Sequence, residues 1–404
     1  MKYKNIISQY TQKWDSFYLY DESRILESTA HLKANFPHIH FIYSIKCNAN
    51  AHVLRCIFQQ GFGADAASLG EVLLAYKAGL SGNSIYYSAP GKSINDKEKS
   101  ITKAILIADS IEEIKRIQTV AERLGMVVSI GIRINPDFSF AGEGGKPSKF
   151  GIDEKKAIEF IKSNPCKNIK ITGIHIHIKS QELDANVLSA YYKRVFLLAK
   201  KVSQLCGSLD YINMGSGMGV AYAATDVPLD LYRIRLAIEQ SLNEFRALYP
   251  AAKIIIEVGR YAVCKSGYYV TKVMDRKESY GKTYLILKNT LNGFLRPSLA
   301  KLVAQYSDKE ASFGTEPLFT SVDAFSFLSF KKETNLEKVS LVGNLCTAAD
   351  VIAEDILMPR LECGDVVMIT NAGSYGAVLS PFQFSAQQRP VELFLTQNGE
   401  IIEA

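Results

Sequence analysis

The chain has 404 residues, of which 47% are hydrophobic, and a formal net charge of +6 from 47 basic and 41 acidic side chains. Its length and hydrophobic content predict two domains with sizeable cores. The charges are spread without a basic block, which argues against a nucleic-acid partner. The N-terminus is polar and no apolar run approaches a membrane span, so we expect a cytoplasmic protein with no membrane partner. The seven cysteines include no C-x-x-C pair, which favours reduced thiols over disulfides or a metal site.

Short apolar runs alternate with amphipathic stretches through most of the chain. Strands are predicted at 41–45, 63–66, 84–87, 105–108, 128–134, 171–177, 211–214 and 253–257. Helical periodicity separates most of them, at 68–78, 111–124, 154–163, 186–205 and 230–248. Because the eight strands are separated by helices, the pattern predicts an α/β fold with a (β/α)8 barrel, which we place at residues 25–265.

After Arg260 the pattern becomes β-rich. Strands are predicted at 267–274, 283–287, 338–342, 365–370 and 390–395. The stretch 306–318 is polar with few periodic apolar residues and is predicted to be a loop. An early strand at 17–20 precedes the barrel, so we expect a second, mostly β domain made of residues 1–24 and 266–404 and joined by this N-terminal strand.

Lys46 ends the apolar run 41–45 and begins a polar turn. At a strand end the low dielectric lowers the pKa of an amine and improves its nucleophilicity, as a Schiff-base lysine requires. The same position also fits a lysine whose charged end reaches water. Lys46 taken alone does not decide between these interpretations.

Further polar residues recur where strands of this barrel end, which is where such barrels carry their active sites. They are Arg133, His177, the turn Gly215-Ser216-Gly217, and the run Glu257-Val-Gly259-Arg260. A glycine-rich turn lets backbone N–H groups approach a phosphate. The set predicts a pyridoxal phosphate site in which Lys46 binds the aldehyde, the turn and Arg260 bind the phosphate, and Glu257 keeps the pyridine nitrogen protonated. His177 would lie against the ring; singly, His177 also fits a core histidine and Glu257 an ion pair with Arg260.

Several motifs follow in a fixed order. They are Tyr43-Ser-Ile-Lys46-Cys-Asn48, Gly63-Ala-Asp65-Ala-Ala-Ser68-Leu-Gly70-Glu71, Arg133-Ile-Asn135-Pro136, Lys149-Phe150-Gly151, Gly173-Ile-His175-Ile-His177 with Ser180, and Glu257-Val-Gly259-Arg260. In these motifs the chain resembles the fold-type III pyridoxal phosphate decarboxylases, which include ornithine, arginine and diaminopimelate decarboxylases. The resemblance implies a barrel of the alanine-racemase-like type. It also implies that Asp65, Arg133, His177, Ser180, Gly215, Ser216, Gly217, Glu257, Gly259, Arg260 and Tyr375 bind the cofactor together with Lys46.

Two C-terminal motifs extend the resemblance, Gly343-Asn-Leu-Cys346-Thr-Ala-Ala-Asp350 and Asn371-Ala-Gly373-Ser-Tyr375-Gly376. In relatives they belong to a homodimer with shared active sites. By that resemblance Cys346 is a second catalytic residue, which protonates the carbanion left by carbon dioxide, and Tyr375 contacts the phosphate. A cysteine suits this role because its environment can tune its pKa toward neutrality.

The chain departs from the family where the far end of the substrate is recognised. Diaminopimelate decarboxylases usually have a glutamate after the cysteine, which reads the distal amine, whereas this chain has Thr347. Their Arg-Pro motif persists as Arg296-Pro297, but Ala300 replaces the tyrosine that follows. The aspartate-containing strand before it is replaced by Leu287-Lys288-Asn289-Thr290. We therefore expect Arg296, Thr347 and Lys288 to contact the substrate in a rebuilt pocket.

Residues 134–140, 345–347 and 379–381 resemble a natural-product branch of the family, which includes an enzyme that decarboxylates a glutamyl group tethered to an acyl carrier protein. We therefore predict decarboxylation of an amino acid, either free or carrier-tethered, in a specialised biosynthetic pathway. The alternatives are a diaminopimelate decarboxylase of lysine biosynthesis, an alanine-racemase-like enzyme and a non-catalytic regulatory homologue. Retention of Lys46, Glu257, Arg260 and Cys346 argues against the last.

Overall fold

The computed structural model describes residues 3–140, 142–207, 209–306, 320–331 and 335–403. The chain divides into two compact units. The barrel unit comprises Ser28–Val220 and Val227–Gly259, and the β unit comprises Met1–Glu27, Ala221–Asp226 and Arg260–Ala404. Apart from Tyr306, the loop predicted at 306–318 lies outside the described residues.

Eight parallel strands form the wall of the barrel unit. In chain order they are His40–Ser44, Gly63–Ala66, Ile85–Tyr87, Ile105–Ala108, Val128–Asn135, Ile169–His175, Tyr211–Asn213 and Lys253–Val258. Each strand pairs in parallel with the next, and the eighth pairs with the first, which closes the ring. The predicted (β/α)8 barrel is confirmed.

Helices alternate with these strands. They span Glu22–Asn35, Ala51–Gln59, Leu69–Lys77, Ile94–Ser100, Ile111–Arg123, Glu154–Ser163, Ala185–Cys206 and Leu231–Leu248. Several begin at a side chain that accepts hydrogen bonds from the first turn, as Asn50, Ser68 and Asp184 do. Shorter strands lie at Phe138–Ser139, Gly142–Glu143 and Ile152–Asp153.

The interior of the barrel is filled by large side chains. Ile42, Tyr86, Ile107, Tyr211 and Ile255 form one buried cluster. Glycines in neighbouring strands make room for the side chain of Tyr211, since a Cβ atom would stand 2.1 Å from its hydroxyl oxygen at Gly131 and 2.1 Å from its ring at Gly173. The barrel is therefore a packed core, and reactive side chains are confined to its rim.

The β unit is built mainly from strands. They span Ser16–Asp21, Gly267–Ser279, Lys282–Leu287, Phe327–Ser329, Leu336–Gly343, Val351–Pro359, Val366–Ile369, Val391–Leu395 and Ile401–Glu403, with helices at Lys4–Tyr10, Arg260–Val263 and Leu295–Tyr306. The N-terminal strand pairs antiparallel with Gly267–Ser279 and parallel with Val391–Leu395. The predicted mostly β domain is thus also confirmed. Within the described ranges, no helix is long and apolar enough to cross a membrane.

Candidate active site

Lys46 lies just beyond the first barrel strand, in the 3-10 turn Ile45–Cys47. Its Nζ atom is 3.5 Å from Oδ2 of Asp65, and its side chain is 45% exposed whereas that of Asp65 is 1% exposed. The Asp65 carboxylate also accepts hydrogen bonds from the hydroxyls of Ser44, at 2.8 Å, and Ser88, at 2.7 Å. These bonds fix the carboxylate on the rim, so Lys46 has both a charged partner and an open approach.

The expected fall in the pKa of Lys46 is wrong. The charge of Asp65 raises the pKa of this amine well above its ordinary range, and the charge of Glu257 acts in the same direction. Burial opposes the shift, but the remaining exposure of the side chain weakens that effect. The unmodified amine is therefore protonated at neutral pH, and it must lose a proton before it can act as a nucleophile.

Glu257, in the eighth barrel strand, is 3% exposed and has several polar neighbours. Its Oε1 atom accepts a hydrogen bond from Asn213 Nδ2 at 2.9 Å and lies 3.0 Å from Nε2 of His175. Burial alone would raise the pKa of Glu257, but the adjacent imidazole of His175 and the charge of Lys46 outweigh it and hold that pKa below its ordinary value. Glu257 is thus an ionised carboxylate that can hold a proton on a facing nitrogen base.

His177 was predicted to end the sixth strand, but that strand ends at His175. The last bond to the seventh strand is donated by the Ile176 N–H to the Asn213 carbonyl at 2.9 Å, and His177 follows it. The Nδ1 atom of His177 accepts a hydrogen bond from the Ser216 N–H at 3.0 Å. Burial lowers the pKa of His177 to about 3, despite the nearby carboxylate of Glu257. The imidazole is therefore neutral, with its proton on Nε2.

The glycine turn after the seventh strand requires its glycines. Gly215 has a φ of 70°, and a Cβ atom there would stand 2.2 Å from the Ile176 carbonyl oxygen. At Gly217, with a φ of 142°, a Cβ atom would stand 2.6 Å from Leu188. The Asn213 side chain accepts a bond from the Gly215 N–H at 2.9 Å while it donates to Glu257. The Asn213 side-chain amide thereby links the glycine turn to the Glu257 carboxylate.

The other predicted residues of the barrel unit occupy varied positions. Arg133 lies within the fifth strand rather than at its end, because the strand continues to Asn135. Its guanidinium donates to the His177 carbonyl at 3.4 Å and lies 3.7 Å from Asp109. Gly259 packs against Cys47, and a Cβ atom there would stand 2.1 Å from the sulfur. Ser180 is half-buried beyond His177.

In the β unit, Arg260 and Arg296 share one acceptor. The hydroxyl of Tyr222 accepts from Arg260 Nη1 at 2.8 Å and from Arg296 Nη2 at 3.3 Å. Arg296 also donates to the Ser374 carbonyl at 3.2 Å, and the Arg260 guanidinium stands 5.3 Å from the ring centre of Tyr375. Both arginines are buried, yet Arg260 Nη2 and Arg296 Nε meet no hydrogen-bond acceptor within the part of the chain that the structure describes.

The exposed Cys346 lies on a loop that Asp350 holds in place. The buried carboxylate of Asp350 accepts from the N–H groups of Leu291, at 2.9 Å, and Leu345, at 3.1 Å, and from the Thr290 hydroxyl. These bonds fix the start of the loop against a neighbouring segment, so the thiol of Cys346 stands in solvent on a well-anchored backbone.

Two of the departures from the family pattern, Thr347 and Lys288, lie near that loop. Thr347 Oγ1 accepts a hydrogen bond from the Ala349 N–H at 3.2 Å, within the loop itself. Lys288 follows the strand whose last residue, Leu287, pairs with Gly343, and its Nζ atom donates to Gln387 Oε1 at 2.9 Å. The loop thus carries a locally bonded hydroxyl where diaminopimelate decarboxylases usually carry a carboxylate, and a cation follows the adjoining strand.

Several functional candidates escaped the sequence prediction. Asn213 was detectable as a polar residue in an apolar strand, and His175 and Glu71 stood inside quoted motifs without an assigned role. Glu71 accepts from the Ala67 N–H at 2.6 Å, and burial raises its pKa to about 7. Tyr222 gave no signal, because its partners are distant in sequence. No cluster of three or more metal-ligating His, Cys, Asp or Glu side chains occurs among the residues described.

Comparison with known proteins gives consistent matches. Residues 22–264 match the family model of the pyridoxal-dependent decarboxylase, pyridoxal binding domain. The chain is 32% identical to L-glutamyl-[BtrI acyl-carrier protein] decarboxylase of Niallia circulans, over 97% of this chain and 91% of that protein. It is 31% identical to a diaminopimelate decarboxylase of Helicobacter pylori, over 94% and 90%. The crystal structure of diaminopimelate decarboxylase from H. pylori, complexed with L-lysine, aligns with a TM-score of 0.83 and 28% identity, over 99% and 95%.

The described residues fit pyridoxal phosphate, the cofactor of this family. The barrel unit offers an accessible amine at Lys46, an ionised carboxylate at Glu257 and a glycine turn without room for side chains. The β unit offers buried arginine N–H groups without acceptors, which suit an anion such as a phosphate. Given this fit and the matches over nearly the whole length, the chain belongs to the pyridoxal-dependent decarboxylases, enzymes that remove carbon dioxide from amino acids with pyridoxal phosphate as cofactor.

Proposed function

We propose that this protein decarboxylates an aminoacyl group carried on an acyl-carrier protein, in a specialised biosynthetic pathway. The observation that carries the proposal is the Cys346 loop, where the Thr347 hydroxyl is bonded to the backbone of its own loop. A substrate with a distal ammonium needs a carboxylate to receive it, whereas the nearby Lys288 is a cation that would repel it. A tethered group has no free distal ammonium and carries the phosphate of its carrier arm.

The proposal assigns a role to each of the predicted site residues. When bound, the cofactor supplies a ring that accepts the electron pair left by departing carbon dioxide. Lys46 would hold the cofactor's aldehyde, Glu257 would keep a proton on its ring nitrogen, and the neutral His177 would contact its ring. Asp65, Arg133, Ser180 and Gly259 would contact the cofactor, and its phosphate would be bound by Gly215, Ser216, Gly217, Arg260 and Tyr375.

Cys346 completes the reaction by delivering a proton from its Sγ atom to the product carbon. Its exposure in the single chain is compatible with a homodimer in which the thiol serves the partner's active site. Arg296 binds a carboxylate of the substrate, since its buried guanidinium keeps a donor without a described acceptor. Thr347 and Lys288 contact the far end of the tethered group.

The test measures carbon dioxide release from a panel of substrates. A glutamyl group loaded on a carrier protein is compared with free glutamate, ornithine, lysine, arginine and diaminopimelate. We expect release from the loaded carrier and rates from the free amino acids at least about 100-fold lower in kcat/KM, since binding energy from the carrier arm contributes to catalysis. Turnover of any free amino acid at about 10⁴ M⁻¹s⁻¹ or above would contradict the tethered substrate.

Diaminopimelate is the second candidate. It is favoured by the buried Arg296 of the retained Arg-Pro motif and by the 31% identity to a diaminopimelate decarboxylase of H. pylori. Thr347→Glu provides a sharper comparison, because it restores the carboxylate that those enzymes place after the cysteine. If diaminopimelate is already the substrate, the parent protein turns it over without this substitution. If it is not, Thr347→Glu raises activity on diaminopimelate relative to the parent.

A further inference from the structure

Tyr222 joins two buried cations through one neutral oxygen. Arg260 is 5% exposed and Arg296 is fully buried, and both donate to the same phenolic hydroxyl. The remaining contacts described for the two guanidinium groups are the Ser374 carbonyl and the rings of Tyr222, Phe325 and Tyr375. No carboxylate stands among them in the described part of the chain.

Buried charges are normally paired, and buried N–H groups normally have acceptors. Here Arg260 Nη2 and Arg296 Nε lack acceptors within the described residues, and neither arginine has a described counter-ion. Two uncompensated cations that each keep a free donor are a site for anionic groups supplied by ligands. Without an acceptor between them, the two like charges would repel each other and turn toward different partners.

The backbone of Tyr222 is held in place by the side chain of Asp226. The N–H groups of Tyr222 and Ala223 donate to the Asp226 carboxylate at 2.8 Å and 2.9 Å, and the Asp226 N–H donates to the Ala223 carbonyl at 3.1 Å. The segment Ala221–Asp226 follows the glycine turn in sequence but belongs to the β unit by its contacts. The Asp226 carboxylate therefore stabilises a tight turn, and this turn places the Tyr222 hydroxyl within hydrogen-bond distance of the two arginines.

We infer that Tyr222 is a positioning residue that orients Arg260 for the cofactor phosphate and Arg296 for a substrate carboxylate. One hydroxyl thereby sets the geometry of two anion-binding side chains that lie 36 positions apart in the sequence. The inference deepens the proposed function and rests on it for the roles of the two arginines. It does not depend on whether the substrate is free or carrier-tethered.

The test uses Tyr222→Phe in the cofactor-free full-length protein, because phenylalanine keeps the ring and removes only the shared acceptor. Pyridoxal phosphate and pyridoxal, which lacks the phosphate, are titrated by their visible absorbance. Loss of a hydrogen bond to a charged group weakens binding by about tenfold or more, so we expect about a tenfold rise in the Kd of pyridoxal phosphate. The Kd of pyridoxal should stay within about twofold, since its binding makes no use of Arg260.

Steady-state kinetics of the same variant test the proposed effect of Tyr222 on Arg296. With whichever substrate the parent decarboxylates, Tyr222→Phe should raise KM by about threefold to tenfold and change kcat by less than about twofold at saturating cofactor. The matched control is Tyr232→Phe, which removes the hydroxyl of a tyrosine that is 55% exposed and lies against Arg235 in the barrel unit. This control should leave both Kd values and KM unchanged.

Asp226→Ala provides a second variant, which loosens the turn but keeps all three side chains. It should raise the Kd of pyridoxal phosphate by about threefold, as expected for a lost capping bond, again without affecting pyridoxal. Equal weakening of both cofactor forms, or no change in either, would overturn the inference. Failure of the parent to release carbon dioxide from a loaded carrier would instead reject the proposed substrate and leave these binding measurements valid.

Discussion

The charged side chains at the barrel rim and the two buried arginines of the β unit differ in how their charges are compensated. Glu257 has Asn213 and the two histidines around it, and Lys46 has Asp65, so the barrel unit compensates its charges from its own side chains. Arg260 and Arg296 share the neutral Tyr222 and keep donors without described acceptors. The comparison indicates that the charges at the barrel rim have partners within the chain, whereas Arg260 and Arg296 have N–H donors available for an anionic ligand.

Lys46→Ala should have the largest effect. If Lys46 holds the cofactor, the variant loses the visible absorbance band of the bound cofactor, and carbon dioxide release falls by at least about 1000-fold because nucleophilic catalysis is lost. Spectra and activity of the purified protein check both outcomes. Lys33→Ala is the matched control, since Lys33 is an exposed barrel-unit lysine whose described partner is a backbone carbonyl. A variant that keeps the band would exclude Lys46 as the attachment point.

Glu257→Gln should have the next largest effect. The substitution keeps the shape of the side chain but removes the charge that holds a proton on the facing nitrogen, so kcat should fall by about 100-fold. Steady-state kinetics at saturating cofactor measure this fall. Glu244→Gln, which alters an exposed carboxylate bonded to Lys200, should leave kcat unchanged. An unaltered kcat in Glu257→Gln would show that the ionised carboxylate is not needed.

Cys346→Ala tests the β unit in the same way. Without the proposed proton donor, kcat should fall by about tenfold to 100-fold, while the Kd of the cofactor stays unchanged. Product analysis in deuterated water would reveal misplaced or unselective protonation. Cys363→Ala is the matched control because Cys363 is also an exposed free thiol. Equal activity of the two variants would remove Cys346 from the mechanism.

The smallest effects concern the pH dependence of stability in the barrel unit. The pKa of His177 falls from 6.5 to about 3 on folding, so between these values the unfolded chain binds a proton that the folded chain does not. Its contribution therefore makes the free energy of unfolding decrease as pH falls, by at most about 1.4 kcal/mol per pH unit. The pKa of Glu71 rises from 4.5 to about 7, so its contribution decreases as pH rises through that window.

Urea unfolding of the cofactor-free protein at a series of pH values between 4.5 and 6.5 separates the two opposing contributions. His177→Asn should make stability less sensitive to acid, and Glu71→Gln should make it more sensitive. Parallel pH profiles for both variants and the parent would mean that neither group changes its pKa on folding.

The local sequence pattern was sufficient to predict the fold, but it predicted the positions of only some of the site residues. Strands and helices of the barrel follow from apolar periodicity. Lys46 and Glu257 were singled out because they stand at predicted strand ends, and Asp65 because the resemblance to the family implies it. His177 was predicted to end the sixth strand but lies two residues beyond it, and Arg133 lies within the fifth strand rather than at its end, since strand ends depend on pairing with neighbours rather than on composition. Asn213 and Tyr222 were missed because their roles arise from partners dozens of residues away.

The amino-acid sequence by itself determined the barrel, the mostly β domain, the family and its cofactor, because periodicity and ordered motifs are local properties of a chain. Only the tertiary structure decided the charge states of the site residues and which side chains they contact. It reversed the expected pKa shift of Lys46, since Asp65 comes from the next strand and its charge outweighs burial. It also brought Arg260, Tyr222 and Arg296 together, and electrostatic contacts of this kind depend on distances that folding alone establishes.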